Sequence, residues 1–203
     1  IREIDKADLL NTDAEILGNA YEYLIGQFAS ETGKKAGEFY TPQAVSKILT
    51  RIAIAGQEDK RGLSIYDPCM GSGSLLLNAK KYVKYPEYIK YYGQELNTTT
   101  YNLARMNLMM HGVNYRNMEL RRADTLDGDW PFAEKDGVQT PLKFDAVVAN
   151  PPYSQKWDIK SITRILEEHN KHHWVQVVSP KTDDGQSERF QDDLAEWLRQ
   201  RKE

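Results

Sequence analysis

The chain has 203 residues, 40% of them hydrophobic and 28% charged, with a formal net charge of −3. That length suits one domain with a real core, and no run of about 18 apolar residues is present to make a spanning helix. The slight negative charge argues against strong free-standing nucleic-acid binding, which rests on neutralising phosphates, so such affinity has to come from local patches or partner subunits.

In chain order, Ile1-Arg2-Glu3-Ile4 offers neither an initiator Met nor a signal-peptide core, so a piece of a longer chain is expected. Thr12-Asp13-Ala14-Glu15 has capping-box spacing, and Leu17, Tyr21, Leu24 and Phe28 then recur at helical intervals. The polar stretch 30–38 reads as a loop. Thr41-Pro42 reads as an N-cap with proline at the first helical position, opening a helix with Val45, Ile48, Leu49 and Ile52 as its buried stripe. Beyond it the pattern alternates. Strands are expected at Leu63 to Tyr66, Tyr88 to Gln94, Met118 to Arg122 and Phe144 to Ala149. Helices are expected at Ser74 to Val83 and from Asn97 to the stop at Gly112. Asp127 to Leu142 reads as a polar loop, Asp158 to His169 as a helix, Trp174 to Val178 as a fifth strand and Gln186 to Lys202 as a charged helix. Strands and helices of these lengths in alternation predict a parallel sheet covered on both faces.

In such sheets ligands bind beyond the carboxyl ends of the strands. Asp67, Glu95, Asp124 and Asn150 fall at four such ends. Asp67-Pro68-Cys69-Met70-Gly71-Ser72-Gly73-Ser74 is a glycine turn between strand and helix, where close backbone approach to a ligand is possible. By itself it reads equally as a structural tight turn, and Leu76 occupies the third glycine place of the dinucleotide fingerprint. Glu95 lies roughly twenty residues on, the spacing at which a carboxylate accepts ribose hydroxyls; a solvated surface carboxylate is the alternative. Asp124 is suited to an adenine amino group or to an N-cap. Cys69, the one cysteine, forms no internal disulfide, and four scattered histidines offer no zinc spacing; no metal is expected, and a reducing cytoplasm is the simplest location.

Asn150-Pro151-Pro152-Tyr153 follows the clearest strand. Prolines donate no backbone hydrogen bond, so the carbonyls there are left for a ligand. The Asn150 side-chain oxygen and the Pro151 carbonyl are suited to accept both hydrogens of an exocyclic amine, while Tyr153 offers a face for a base to stack on. A plain proline turn is the alternative.

On these motifs the chain resembles the amino-methyltransferases, in which Asn-Pro-Pro-Tyr is the catalytic tetrapeptide and the Asp-Pro-x-x-Gly-Ser-Gly turn holds the methionine part of S-adenosylmethionine. Gly37-Glu38-Phe39-Tyr40-Thr41-Pro42-Gln43 resembles the further cofactor-binding segment of the gamma arrangement. Together with Ala20-Tyr21-Glu22-Tyr23-Leu24-Ile25 and Gly33-Lys34-Lys35-Ala36, it resembles the modification subunit of type I restriction systems. The likeness runs from about Asp13 to Trp157. It implies an α/β, Rossmann-like, doubly wound and mostly parallel sheet, truncated, with a short helical segment ahead of it. The implied parts are 1–36 leading in, 37–157 as catalytic core and 158–203 as an unmatched tail. The cofactor pocket it implies is lined by Glu38, Phe39, Tyr40, Thr41, Pro42, Gln43, Asp67, Gly71, Ser72, Gly73, Ser74, Glu95 and Asp124, with Asn150, Pro151, Pro152 and Tyr153 as catalytic residues. The implied reaction is direct methyl transfer to N6 of a flipped-out adenine in double-stranded DNA, with separate specificity and restriction subunits as partners. The rival readings are a methyltransferase for RNA or a protein glutamine, a nicotinamide oxidoreductase, and an inactive cofactor-binding scaffold.

Overall fold

The computed structural model describes residues 14–31, 41, 43–127, 131–135, 137–151, 168–169 and 175–176. In chain order its helices are α1 (Ala14–Glu31), α2 (Gln43–Ile54), α3 (Ser74–Asn78) and α4 (Thr98–Met110). Its strands are β1 (Ser64–Asp67), β2 (Lys90–Gln94), β3 (Met118–Arg121), β4 (Phe132–Lys135), β5 (Val138–Pro141), β6 (Ala146–Ala149) and β7 (Val175–Gln176). Five strands form one sheet in the order β3-β2-β1-β6-β7, with every neighbouring pair parallel. Strand β7 falls inside the expected Trp174 to Val178. The expected capping box at Thr12-Asp13 and the helix over 186–202 lie outside the described residues, as does 158–167 of the other expected helix.

Successive strand residues point to opposite faces, and here both faces are buried. Ile65, Tyr91, Ala146 and Val148 join Leu49, Leu76 and Leu108 in one core. Tyr66, Val147 and Ala149 join Phe144 in the other, with the Tyr66 and Phe144 rings 4.8 Å apart. Burial on both sides explains why the β6 region is continuously apolar rather than alternating. Its one charge, Asp145, is buried and answered: Oδ2 accepts from the Ser64 amide and hydroxyl, each at 2.9 Å, and Oδ1 meets Lys60 Nζ. This clamp joins the amino ends of β1 and β6. Their carboxyl ends, where ligand chemistry belongs, remain side by side.

Three sequence expectations need correction. The buried stripe of α1 is Gly18, Glu22 and Ile25, one position round from the expected set; Leu24 is 48% exposed, Leu17 and Tyr21 are half-buried, and the Phe28 side chain lies outside the described residues. Likewise α2 buries Ser46, Leu49, Thr50, Ala53 and Ile54, while Val45 and Ile48 face outward, Ile48 at 60% exposure. The cause is hydrogen bonding: Ser46 and Thr50 hydroxyls donate to the Ser74 and Leu75 carbonyls at 3.2 and 3.1 Å. Finally, the expected loop over 127–142 holds the antiparallel hairpin β4–β5, in which Lys135 opposes Val138 across a two-residue connection and Gly137 has φ +75°. Asp-Gly is a strong signal for such a turn. The expected helix Ser74 to Val83 is present as α3 followed by a tighter 3-10 turn, Ala79–Lys81.

Candidate active site

The glycine turn is built by its own polar groups. Asp67 ends β1, and its Oδ1 accepts the Cys69 amide at 2.9 Å, curling the chain back. Met70 N–H then donates to the Gln94 carbonyl at 2.9 Å, and Gly73 N–H to the Met70 carbonyl at 2.7 Å. Gly73 has φ +79°, and a Cβ on it would lie 2.7 Å from Leu108 Cδ1 of α4. The position therefore needs glycine twice over, for conformation and for close packing. From the same helix Asn107 Nδ2 donates to the Ser72 carbonyl at 2.9 Å.

Glu95 follows β2 at the rim of this turn. Its Oε1 accepts the Asn97 amide at 2.8 Å, and Asn97 in turn caps α4 by accepting from the Thr99 and Thr100 amides at 2.9 and 3.1 Å. Burial pushes the Glu95 carboxyl up, while the Asn97, Gly71 and Leu96 amides pull it partly back. Asp124 Oδ1 accepts the Leu126 amide at 3.0 Å, so the capping role weighed from the sequence is realised. Thr125 Oγ1 donates to the Pro68 carbonyl at 2.5 Å, drawing the segment after β3 onto the turn.

Beneath the turn, Asp67 is fully buried and its Oδ2 has no hydrogen-bond partner among the described residues. Burial drives its pKa from 3.8 to about 8, the Cys69 amide opposing and the Glu95 charge adding to the rise. The half-buried Cys69 thiol is also pushed up, by burial and then by Asp67, Glu95 and Asp124, so it is no ready nucleophile. Three carboxyl groups thus share one field, a donor set that fits a ligand carrying positive charge.

Asn150 and the buried Pro151 stand at the carboxyl end of β6, next to β1, with Ile65 opposite Ala146 and Tyr66 opposite Val147. Asn150 Nδ2 donates to Thr41 Oγ1 at 3.0 Å. That bond joins two motifs 109 positions apart. Gln43, the first residue of α2, donates to Glu22 Oε2 at 2.7 Å. Of the remaining expected site residues, Glu38, Phe39, Tyr40, Pro42, Pro152 and Tyr153 lie outside the described residues. The structure brings Thr41, Gln43, Asp67, Gly71, Ser72, Gly73, Ser74, Glu95, Asp124, Asn150 and Pro151 to one end of the sheet.

Sequence reasoning passed over three residues here. Leu96 and Leu126, next in chain to Glu95 and close after Asp124, are large apolar side chains left 50% and 40% exposed. Glu22 is a carboxylate in the buried stripe of α1; a charge at a core position of a helix was the available signal.

The family model of the N-6 DNA methylases matches residues 12–187. Over 160 residues, covering 76% of this chain, the chain is 44% identical to the type I restriction enzyme MpnII methylase subunit of Mycoplasma pneumoniae. It is 32% identical over 196 residues to the MjaVIII methylase subunit of Methanocaldococcus jannaschii, covering 90% of this chain. The crystal structure of the type I restriction-modification system methyltransferase subunit from Streptococcus thermophilus superposes with a TM-score of 0.68 and 56% identity, over 77% of this chain and 32% of that one. The chain spans 28% and 33% of the two curated relatives' lengths.

Proposed function

Because the chain belongs to the N-6 DNA methylase family, we propose that it carries the catalytic core of a DNA methyltransferase acting on adenine N6, with S-adenosylmethionine as methyl donor. Like the relatives it matches, it serves on this reading as modification subunit of a type I restriction-modification system, beside separate specificity and restriction subunits in the cytoplasm. The core is assigned to 37–157, with α1 and β7 contributing from the flanking parts 1–36 and 158–203. Among the described residues no helix is long and apolar enough to cross a membrane.

The observation that carries the reading is the neighbourhood of the Asn150-Pro151 corner and the glycine turn, at adjacent carboxyl ends of parallel strands. On this reading Asp67, Ser72, Ser74 and Glu95 would hold the cofactor, with Leu96 and Leu126 as apolar flanks for a flat ring. Bound there, S-adenosylmethionine supplies an activated methyl group. The chain's own part is to orient the acceptor. Asn150 Oδ1 and the Pro151 carbonyl accept the two N6 hydrogens, which turns the nitrogen lone pair out of conjugation and aims it. The target base must first leave the helix stack, at a cost of about a few kcal/mol. Stacking on Tyr153 returns roughly 1–3 kcal/mol of it.

Methyl incorporation into DNA, RNA and protein from radiolabelled cofactor, with the specificity subunit present, tests this. DNA is the expected acceptor. Asn150→Ala is expected to lower transfer by roughly a hundredfold or more while leaving cofactor affinity within about twofold. Substantial transfer by that variant, or preference for RNA or protein, overturns the assignment.

A further inference from the structure

Helix α1 stands apart from the sheet in sequence, yet one of its carboxylates ends in the turn. Gly18 seats the helix: a Cβ there would lie 2.5 Å from the His111 ring beyond α4, so only glycine permits this approach. One helical turn on, Glu22 points the same way and is buried. Its Oε1 accepts the Ser74 hydroxyl at 2.9 Å and its Oε2 the Gln43 amide at 2.7 Å. His111 Nε2 lies 4.0 Å from Oε2. Glu22 therefore joins three segments: α1, the first residue of α2 and the glycine turn.

The consequence follows from counting protons. A serine hydroxyl has one hydrogen to donate. Ser74 gives its hydrogen to Glu22, so in the 3.0 Å contact between the Ser72 and Ser74 hydroxyls it is Ser72 that donates. Ser72 Oγ is left with lone pairs alone. A carboxylate at position 22, which can only accept, thus dictates the direction of the relay through the buried Ser74 and Ser72 hydroxyls.

We propose that Glu22 is a positioning residue for the cofactor turn, fixing Ser72 Oγ as an acceptor matched to the hydrogen-bond donors of the methionine end of S-adenosylmethionine. The inference rests on the methyltransferase reading above. Glu22→Gln is almost isosteric but carries a donor. Its amide either reverses Ser74, turning the Ser72 hydrogen outward, or forces Gln43 to flip and give up the bond its Oε1 accepts from Asn78 Nδ2 at 3.3 Å.

Calorimetric titration of the 203-residue chain with S-adenosylmethionine is the measurement. Glu22→Gln is expected to bind roughly tenfold more weakly, as when one hydrogen bond is reversed, with Tm shifted by only a few degrees. Ser74→Ala is expected to lose a similar factor, and the double variant no more than the worse single one, because both changes cut the same relay. A merely structural role for α1 would lower Tm and leave the two losses additive. Wild-type affinity in Glu22→Gln, wild-type affinity in Ser74→Ala, or additive losses each overturn the inference. Should Glu22→Gln unfold, Glu22→Ala, which also frees the Ser74 hydrogen to turn towards Ser72, takes its place in the same cycle with Ser74→Ala. If the unaltered chain binds no S-adenosylmethionine, the methyltransferase reading fails and this inference falls with it; if it binds and the variants bind equally, only the role of Glu22 fails.

Discussion

A carboxyl group sealed under a turn resists ionisation, and Asp67 does so with one oxygen on the Cys69 amide and the other lacking a partner among the described residues. Its pKa of about 8 in the folded chain stands above its ordinary 3.8, so between those values the folded state holds a proton that the unfolded state has released. Stability from this group is therefore full below about pH 4 and is lost as pH rises through about 8. Asp67→Asn is expected to flatten the fall of Tm between about pH 5 and 8, read by thermal melts across pH; an unchanged slope would refute the assignment. A positively charged ligand favours the ionised form, so cofactor binding near pH 7 should release a proton. Titrations in buffers of different ionisation enthalpy would register that release in the native chain and not in Asp67→Asn. Gly73 makes a second case at this scale. Its φ of +79° and the 2.7 Å approach to Leu108 predict that Gly73→Ala loses about 1–3 kcal/mol in denaturant melts. The need for glycine at position 73 was legible from residue type and spacing. The buried, orphaned oxygen of Asp67 was not, because exposure depends on what the rest of the chain lays over it.

Elements were legible where one period ruled. The sheet strands emerge within a few residues of expectation because double burial makes them continuously apolar, and Asn97 and Gly112 bound α4 as capping chemistry requires. Helix faces were another matter. In α1 and α2 the most apolar stripe and the buried stripe differ by one position, since Glu22, Ser46 and Thr50 are drawn inward by partners on α2 and α3. Hydrophobicity ranks the faces by transfer cost; it is blind to a hydroxyl with a carbonyl waiting for it. The contrast is measurable. Ile48→Ser on the exposed face is expected to change stability by no more than about 0.5 kcal/mol. Thr50→Val, similar in size but without the hydroxyl, is expected to cost about 1 kcal/mol by leaving the Leu75 carbonyl short of a bond. If Ile48→Ser proves the more damaging, the assigned orientation of α2 is wrong. The hairpin β4–β5 was missed for a different reason: polar composition was read as loop, although the dipeptide Asp136-Gly137 in the sequence is a signal for a tight turn between short strands.

At the scale of the whole molecule, charge and geometry divide the labour. A net charge of −3 and a turn ringed by carboxyl groups suit a cationic small ligand far better than a polyanion. Arg121 and Arg122, both exposed, are locally engaged: Arg121 lies 3.6 Å from Glu119, and Arg122 Nη1 is 3.3 Å from Thr98 Oγ1. In mobility-shift assays at physiological salt the chain alone is expected to hold duplex DNA weakly, with Arg121→Ala and Arg122→Ala changing little. On the proposed type I reading, adding a specificity subunit should raise affinity steeply, and tight salt-sensitive binding by the chain alone would contradict this division. The side-by-side, same-direction packing of β1 and β6 carries a last consequence. Because the two chemical motifs meet through lateral hydrogen bonding rather than through the peptide that links them, their order along the gene is free to change. A protein encoding the proline corner first and the glycine bend second would reassemble the same workplace, provided a connector of adequate reach bridged the exchanged halves.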